Sequence, residues 1–215
     1  MNPDPWLIEI TVLKITQTSE HFLKLDYISP LNGLNYGLLR FSPKNKKAPR
    51  PDLFDTAEVN IELGNVHKQH FLKDFSPIKQ RPAIGKNYSR LDYACRFARF
   101  LLENLSSVPD PEELYQLTKQ SLDAFNSGYP PETILIKALY RFLKIEGFPV
   151  ENNWWQSIPQ AQKNQAQQLL NTPLSEIEPI QDSKDPPSYS PTECLLAHLA
   201  QWIHQETDLR LNLKK

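Results

Sequence analysis

No nucleophile elbow, P-loop, dinucleotide fingerprint or paired-carboxylate spacing occurs along the 215 residues, so the chain offers no visible enzymatic site. Cysteine is scarce. Cys95 and Cys194 stand far apart, with no CxxC and no histidine at ligand spacing, which excludes a disulfide framework and a zinc site and leaves both as buried small hydrophobes. His67 and His70 form H-x-x-H, but on a strand residues three apart point to opposite faces and share no metal. His198 and His204 fall on different faces of one helix. No cofactor and no metal are expected. No apolar run reaches membrane-spanning length, and Met1 to Pro5 carries no basic region followed by an apolar stretch; the expectation is a soluble, cytosolic protein.

The formal charge is −1, so no overall field drives the chain towards a polyanion. The distribution is uneven. Arg40 to Arg90 holds eleven basic side chains against five acidic ones, whereas residues 91–215 hold eleven basic and sixteen acidic. A positive first half joined to a mildly negative second half suits a polyanion-binding module in front of a domain with another task, although a mixed solvated surface is the commoner meaning of such counts.

Residues Trp6 to Lys14 alternate, with Trp6, Ile8, Ile10 and Val12 on one face and Glu9 and Thr11 on the other, which predicts a strand. His21 to Ile28 repeats the pattern, Ser29 to Gly33 supplies turn chemistry, and Leu34 to Phe41 returns as a hairpin partner. A proline-framed basic loop follows, Ser42 to Pro51. Strands over Leu53 to Leu63 and Val66 to Phe75 flank a Gly64-Asn65 turn. Five strands with a long loop after the third suit a small closed barrel of the OB type, because a sandwich needs roughly seven. Gly37 and Gly64 sit where a tightly coiled barrel needs backbone without a side chain, or where a strand carries a plain bulge.

After a linker near Pro77 to Lys86 the period becomes helical. Leu91, Ala94, Cys95, Ala98, Leu101, Leu102 and Leu105 define one apolar stripe over Tyr88 to Leu105. Asp110-Pro111-Glu112-Glu113 opens a second helix running to about Asn126. Pro131-Glu132 opens a third, with Leu135, Ala138, Leu139 and Phe142 inward and Gly147 with Pro149 closing it. Ser157 to Leu170 is glutamine-rich and moderately helical, and Asn171 to Tyr189 reads as a loop. Ser190-Pro191-Thr192-Glu193 forms a capping box for a last helix from Pro191 to about Thr207. The expected class is α+β: a five-stranded OB-type barrel over residues 1–78, then a helical domain over 79–215 that is loop-like at 170–190.

Three groups of side chains stand out. Arg40 with Lys44, Lys46, Lys47 and Arg50 places flexible cations on and beside the proline-framed loop, a means of following a phosphate backbone of variable shape. A solvated loop tip is the plainer meaning of such a segment; the barrel context favours phosphate contact. Tyr27, Tyr36 and Phe41 lie on or beside strands, where at most one is expected to stack a base, and Tyr36 is the candidate. On the third helix Lys137, Arg141 and Lys144 recur beside Tyr140 as a cationic stripe, most often a solubility face.

The order of elements resembles RecO, the bacterial recombination-mediator family. The elements that carry the resemblance are Ile8 to Lys14, His21 to Ile28, Asn32-Gly33-Leu34, Leu38 to Phe41, the basic loop Lys44 to Arg50, and Leu53 to Leu63. In the helical half they are Tyr93 to Leu105, the ending Leu143 to Phe148, and a terminal helix with Leu195, Leu199 and Trp202 near a basic tail. Many members carry a four-cysteine zinc module after the Gly-Phe segment; Glu151 to Pro187 holds no cysteine, so the likeness is to members without the metal. The resemblance implies a non-enzymatic, monomeric, cytoplasmic and nucleoid-associated DNA repair and recombination factor. Such a protein binds single- and double-stranded DNA, promotes strand annealing, and with RecR assists RecA loading on DNA coated by single-stranded DNA-binding protein (SSB). It also implies that the helical domain receives the acidic SSB tail, for which Lys137, Tyr140, Arg141 and Lys144 have fitting chemistry. The alternative is a non-catalytic adaptor on the same scaffold without DNA contact.

Overall fold

The computed structural model describes residues 6–41, 49–63, 70–105, 110–179 and 191–213. Five strands, β1 (Trp6–Gln17), β2 (Phe22–Ser29), β3 (Gly33–Arg40), β4 (Thr56–Leu63) and β5 (His70–Lys79), close into a barrel in the order β1-β2-β3-β5-β4. All neighbours are antiparallel except β3 and β5, which run parallel. With six α-helices among the described residues downstream of it, the chain is α+β with an OB-type barrel first. The helices are α1 (Tyr88–Asn104), α2 (Pro111–Asn126), α3 (Pro131–Ile145), the single turn α4 (Trp155–Ser157), α5 (Gln160–Asn171) and α6 (Pro191–Glu206). A π-helical turn spans Val150–Trp154. No helix among the described residues is long and apolar enough to cross a membrane.

Two compact units divide the chain. One comprises residues 1–81 with 105–116, the other 82–104 with 117–215, so the division falls within α2. In the first unit the barrel interior is filled by Ile8, Ile10, Val12, Leu25, Tyr27, Leu39, Val59, Leu72 and Phe75, as strand alternation dictates. β1 pairs with β4 through its first half and with β2 through its second, and a bulge at Leu13 lets one strand turn this corner. Gly37 marks a close approach: a Cβ there would lie 2.7 Å from Leu72 Cγ. Its counterpart Gly64 lies outside the described residues.

The strand limits differ most from the alternation pattern in three strands. β1 runs to Gln17, three residues past the expected Lys14. β4 begins at Thr56, because Leu53 to Asp55 form a turn in which Phe54 takes a φ of 69°. β5 runs to Lys79, four residues past the expected Phe75. Pro77, which cannot donate to a ladder, lies beside a register irregularity in its pairing with β4.

The outward side of β1 is not the polar surface that Glu9 and Thr11 suggest. Thr11, Asp55, Thr56 and Arg81 are all buried. The Thr11 and Thr56 hydroxyls bond at 3.0 Å, and Arg81 Nη1 donates to Thr56 Oγ1 at 3.0 Å and to the Phe54 carbonyl. Tyr115 covers the same side and donates to Glu9. Burial and this bond to a carboxylate push its phenol far above the ordinary range.

In the second unit α3 is buried on nearly every side, Ile134, Ile136 and Leu143 joining the expected Leu135, Ala138, Leu139 and Phe142, the pattern of a central helix. Phe142 meets Phe100 of α1 edge-to-face at 5.0 Å. The α1 stripe is rotated from the expected one: Phe97 and Phe100 are buried, whereas Leu91, Cys95 and Leu102 are half-buried. Cys194 is half-buried as well, so neither cysteine is the fully buried hydrophobe expected. The helix ends follow the sequence signals. Asp110 Oδ1 accepts from the Glu113 amide at 3.0 Å. At the end of α3, Gly147 takes a φ of 76°, and the amides of Gly147 and Phe148 bond to Lys144 and Leu143 as a Schellman motif requires. The capping box of α6 is seen only in part. Ser190 lies outside the described residues, and Glu193 accepts a bond from Tyr93 at 3.2 Å.

Candidate functional site

Alternation that sends Leu23, Leu25 and Tyr27 into the barrel sends Phe22, Lys24 and Asp26 out of it. On β3 the same rule places Leu39 inside and Tyr36, Leu38 and Arg40 outside. The register pairs Phe22 with Arg40, Lys24 with Leu38 and Asp26 with Tyr36. Tyr36 is 48% exposed, the large aromatic of this face most open to solvent. Lys24 Nζ stands 4.6 Å from its ring centroid and bonds Asp26 at 2.9 Å. Phe22 and Phe71 meet edge-on at 6.2 Å beside Arg40. Past the bulge of β1, exposed Lys14 pairs with Asp26 and extends the face.

The β2–β3 face therefore interleaves aromatic rings with Lys14, Lys24 and Arg40. Rings offer flat surfaces on which planar groups stack, and the cations neutralise nearby anions. Tyr36 and Arg40, singled out in the sequence, both lie on this face. Phe22, Lys24 and Phe71 were not singled out, although the alternation that assigns Leu23 and Leu25 to the core assigns them outward.

Of the other two aromatics, Phe41 is half-buried beside the barrel. Tyr27 is 1% exposed inside it and is unavailable for stacking. Its hydroxyl has no hydrogen-bond partner among the described residues, and burial pushes its pKa up to about 12.

Arg50 is exposed at the end of the basic loop; Lys44, Lys46 and Lys47 lie outside the described residues. Two more of the eleven cations between Arg40 and Arg90 are structural. Arg81 is buried as described above, and Arg90, 8% exposed, donates to the Ala83 carbonyl at 3.0 Å. Neither adds to a surface field.

Beside the β2–β3 face lies a cavity of about 650 Å³. Leu39, Leu72 and Phe75 form its buried floor, while Arg40, Arg50 and Lys73 are exposed around it. His21, Phe41, Pro49 and Asp74 also line it. Lys73 is bridged to Glu62 at 2.6 Å. Asp74 takes a φ of 53° at a bulge in β5, and its carboxylate accepts from Asn60 at 2.8 Å.

The four residues on α3 are held differently from one another. Lys137 is half-buried and donates to the carbonyls of Leu170 and Thr172 at 3.2 and 2.7 Å, tying down the C-terminal end of α5. Burial lowers its pKa. Tyr140 tilts against buried Trp154 with centroids 5.7 Å apart. Arg141 and Lys144 are exposed, the first bonded to Gln120 at 2.8 Å and the second bridged to Glu151 at 2.5 Å. Trp154 also donates to His198 Nδ1 at 3.2 Å, a packing role for a histidine with no ligand partner in sequence.

No family model matches the chain, and no curated protein matches it.

Proposed function

We propose that the chain is a non-catalytic DNA-binding protein of the RecO type, which holds single- and double-stranded DNA on its barrel, promotes annealing, and with RecR assists RecA loading on SSB-coated DNA. The observation that carries the DNA reading is the β2–β3 face, where exposed Tyr36 with Lys24 above its ring stands in line with Arg40 and the Phe22–Phe71 pair. OB barrels bind oligonucleotides on their second and third strands, through stacked bases and cations that track the backbone. The RecO level of the reading rests on the order of elements, a barrel followed by helices, and on the sequence patterns given above. The contribution of the barrel is electrostatic and positional. Cations neutralise phosphates on strands held side by side, and no nucleotide is consumed.

The test is fluorescence anisotropy with a labelled single-stranded oligonucleotide over a salt series, followed by an annealing assay with and without cognate SSB. The expected result is affinity that falls linearly with log salt, and annealing that persists when the strands are SSB-coated. An adaptor without DNA contact gives no anisotropy change. Salt-dependent binding with no annealing removes the mediator role and leaves a simple DNA-binding protein.

A further inference from the structure

We propose that the cavity beside the β2–β3 face is a single-nucleotide subsite, which receives one everted nucleotide of the bound strand with its base against Phe41 and its phosphates on Arg40, Arg50 and Lys73. The inference rests on the DNA reading above and adds to it a place where one base leaves the surface path. Arg40 makes the connection, since it closes the outward row of β3 and also lines the cavity.

The chemistry of the walls selects the occupant. A floor of Leu39, Leu72 and Phe75 with a half-buried aromatic at the side is of no use to a free phosphate, which needs only charge and hydrogen bonds. Three cations from β3, from the end of the basic loop and from β5 are of no use to an uncharged apolar ligand. A nucleotide uses both, an aromatic base on the apolar side and a phosphate on the rim. The volume of about 650 Å³ falls within the roughly 300–1,000 Å³ of small-ligand sites. Asp74 supplies a carboxylate acceptor for the N–H groups of a base edge, and its left-handed backbone is one of two such non-glycine positions among the described residues. Strain of that kind concentrates at ligand sites, where the surrounding structure holds it in place.

The test is amide chemical-shift mapping of the full chain with thymidine monophosphate, with thymidine, and with inorganic phosphate at matched ionic strength, alongside a dT12 titration. The expected result is a saturable response to the monophosphate at Phe41, Arg50 and Leu72 to Phe75, which phosphate alone does not reproduce. Phe41→Ala should weaken it about 5- to 150-fold, the range set by loss of one stacked base. Arg50→Ala, at an exposed position that folding tolerates, is the second variant and should weaken the monophosphate more than thymidine. A phosphate-only response, or unchanged affinity in both variants, overturns the subsite. Oligonucleotide binding with a silent cavity overturns the subsite alone, whereas a dT12 that does not bind overturns the DNA reading and the subsite with it.

Discussion

Lys24 holds its ammonium 4.6 Å from the centroid of the Tyr36 ring, across the ladder that joins β2 to β3. The ring is half-exposed, with a cation over it. Tyr36→Ala should therefore lower affinity for single-stranded DNA about 5- to 150-fold, as expected for about 1–3 kcal/mol per stacked base. Tyr36→Phe keeps the ring and should stay close to the parent. Anisotropy titrations of the two variants at one salt concentration check this, and equal losses would assign the effect to the hydroxyl.

Under the proposed DNA-binding function the basic loop acts through charge alone. Converting Lys44, Lys46, Lys47 and Arg50 to Ala should weaken binding equally for every oligonucleotide sequence, because phosphate contacts carry no base information. Each lost contact should flatten the plot of log affinity against log salt by about 0.7, and the four together by roughly 3. A quadruple variant with the parent slope takes the loop out of the site.

Gly37 should not tolerate a side chain. An added Cβ would stand 2.7 Å from Leu72 Cγ and 2.8 Å from Cδ2 inside a packed barrel, and overpacking of this kind costs about 1–3 kcal/mol. Gly37→Ala should lower the melting temperature. Combined with Leu72→Ala it should cost less than the two changes summed, since each variant relieves the strain of the other. Denaturant melts of the four proteins measure the coupling.

Tyr27→Phe should stabilise the barrel, against the usual direction of core substitutions. The phenol is buried without a partner among the described residues, and such a group costs about 1–3 kcal/mol. The pH dependence has a definite sign. With a folded pKa of about 12 against about 10 unfolded, Tyr27 contributes stability that is present below pH 10 and is lost as pH rises through 12. The advantage of the Phe variant should therefore widen between those values. Thermal melts at pH 8 and pH 11 decide it; an equal gap at both means that Tyr27 ionises in the folded protein.

On α3 the cations separate by role. Lys137→Ala removes two bonds to the end of α5 and should cost about 1–3 kcal/mol, with no specific effect on partners. Arg141→Glu with Lys144→Glu changes exposed charge and should leave the melting temperature almost where it was. The double variant should weaken binding of an acidic SSB tail peptide, and undiminished peptide binding in that folded protein ends the assignment of this stripe.

The barrel was legible because its signal is local: alternation over eight or so residues names a strand and its inward face, and Gly37 announces a close approach. Helix ends at Asp110 and Gly147 were legible for the same reason. The fate of individual charges was not. Arg81 was counted among the cations of the positive first half and Lys137 was placed in the α3 stripe, but each is consumed by backbone carbonyls brought near by residues distant in sequence, Phe54 in one case and Leu170 with Thr172 in the other. Thr11 lies by alternation on the face opposite Ile8, Ile10 and Val12, and there it is buried under Tyr115 and Arg81, a cover that strand periodicity does not encode. The α1 stripe shifted because Phe97 and Phe100 carry more apolar surface than Leu91 and Leu102, and the larger rings took the core.

Among the described residues the parallel seam of the barrel is short. There Leu38 pairs with Phe71 and Leu39 with Leu72, and no other pair of described residues joins β3 to β5, whereas each of the other four ladders shows six pairs or more. The barrel is thus a ring with a small clasp, and the clasp is where it should breathe: amide protons at these four residues should exchange ahead of those elsewhere in the ladders. Leu39 and Leu72 are also two of the three floor residues of the cavity. A guest seated there rests on both sides of the clasp at once and holds it shut, so that filling the cavity and slowing the opening of the barrel become a single event.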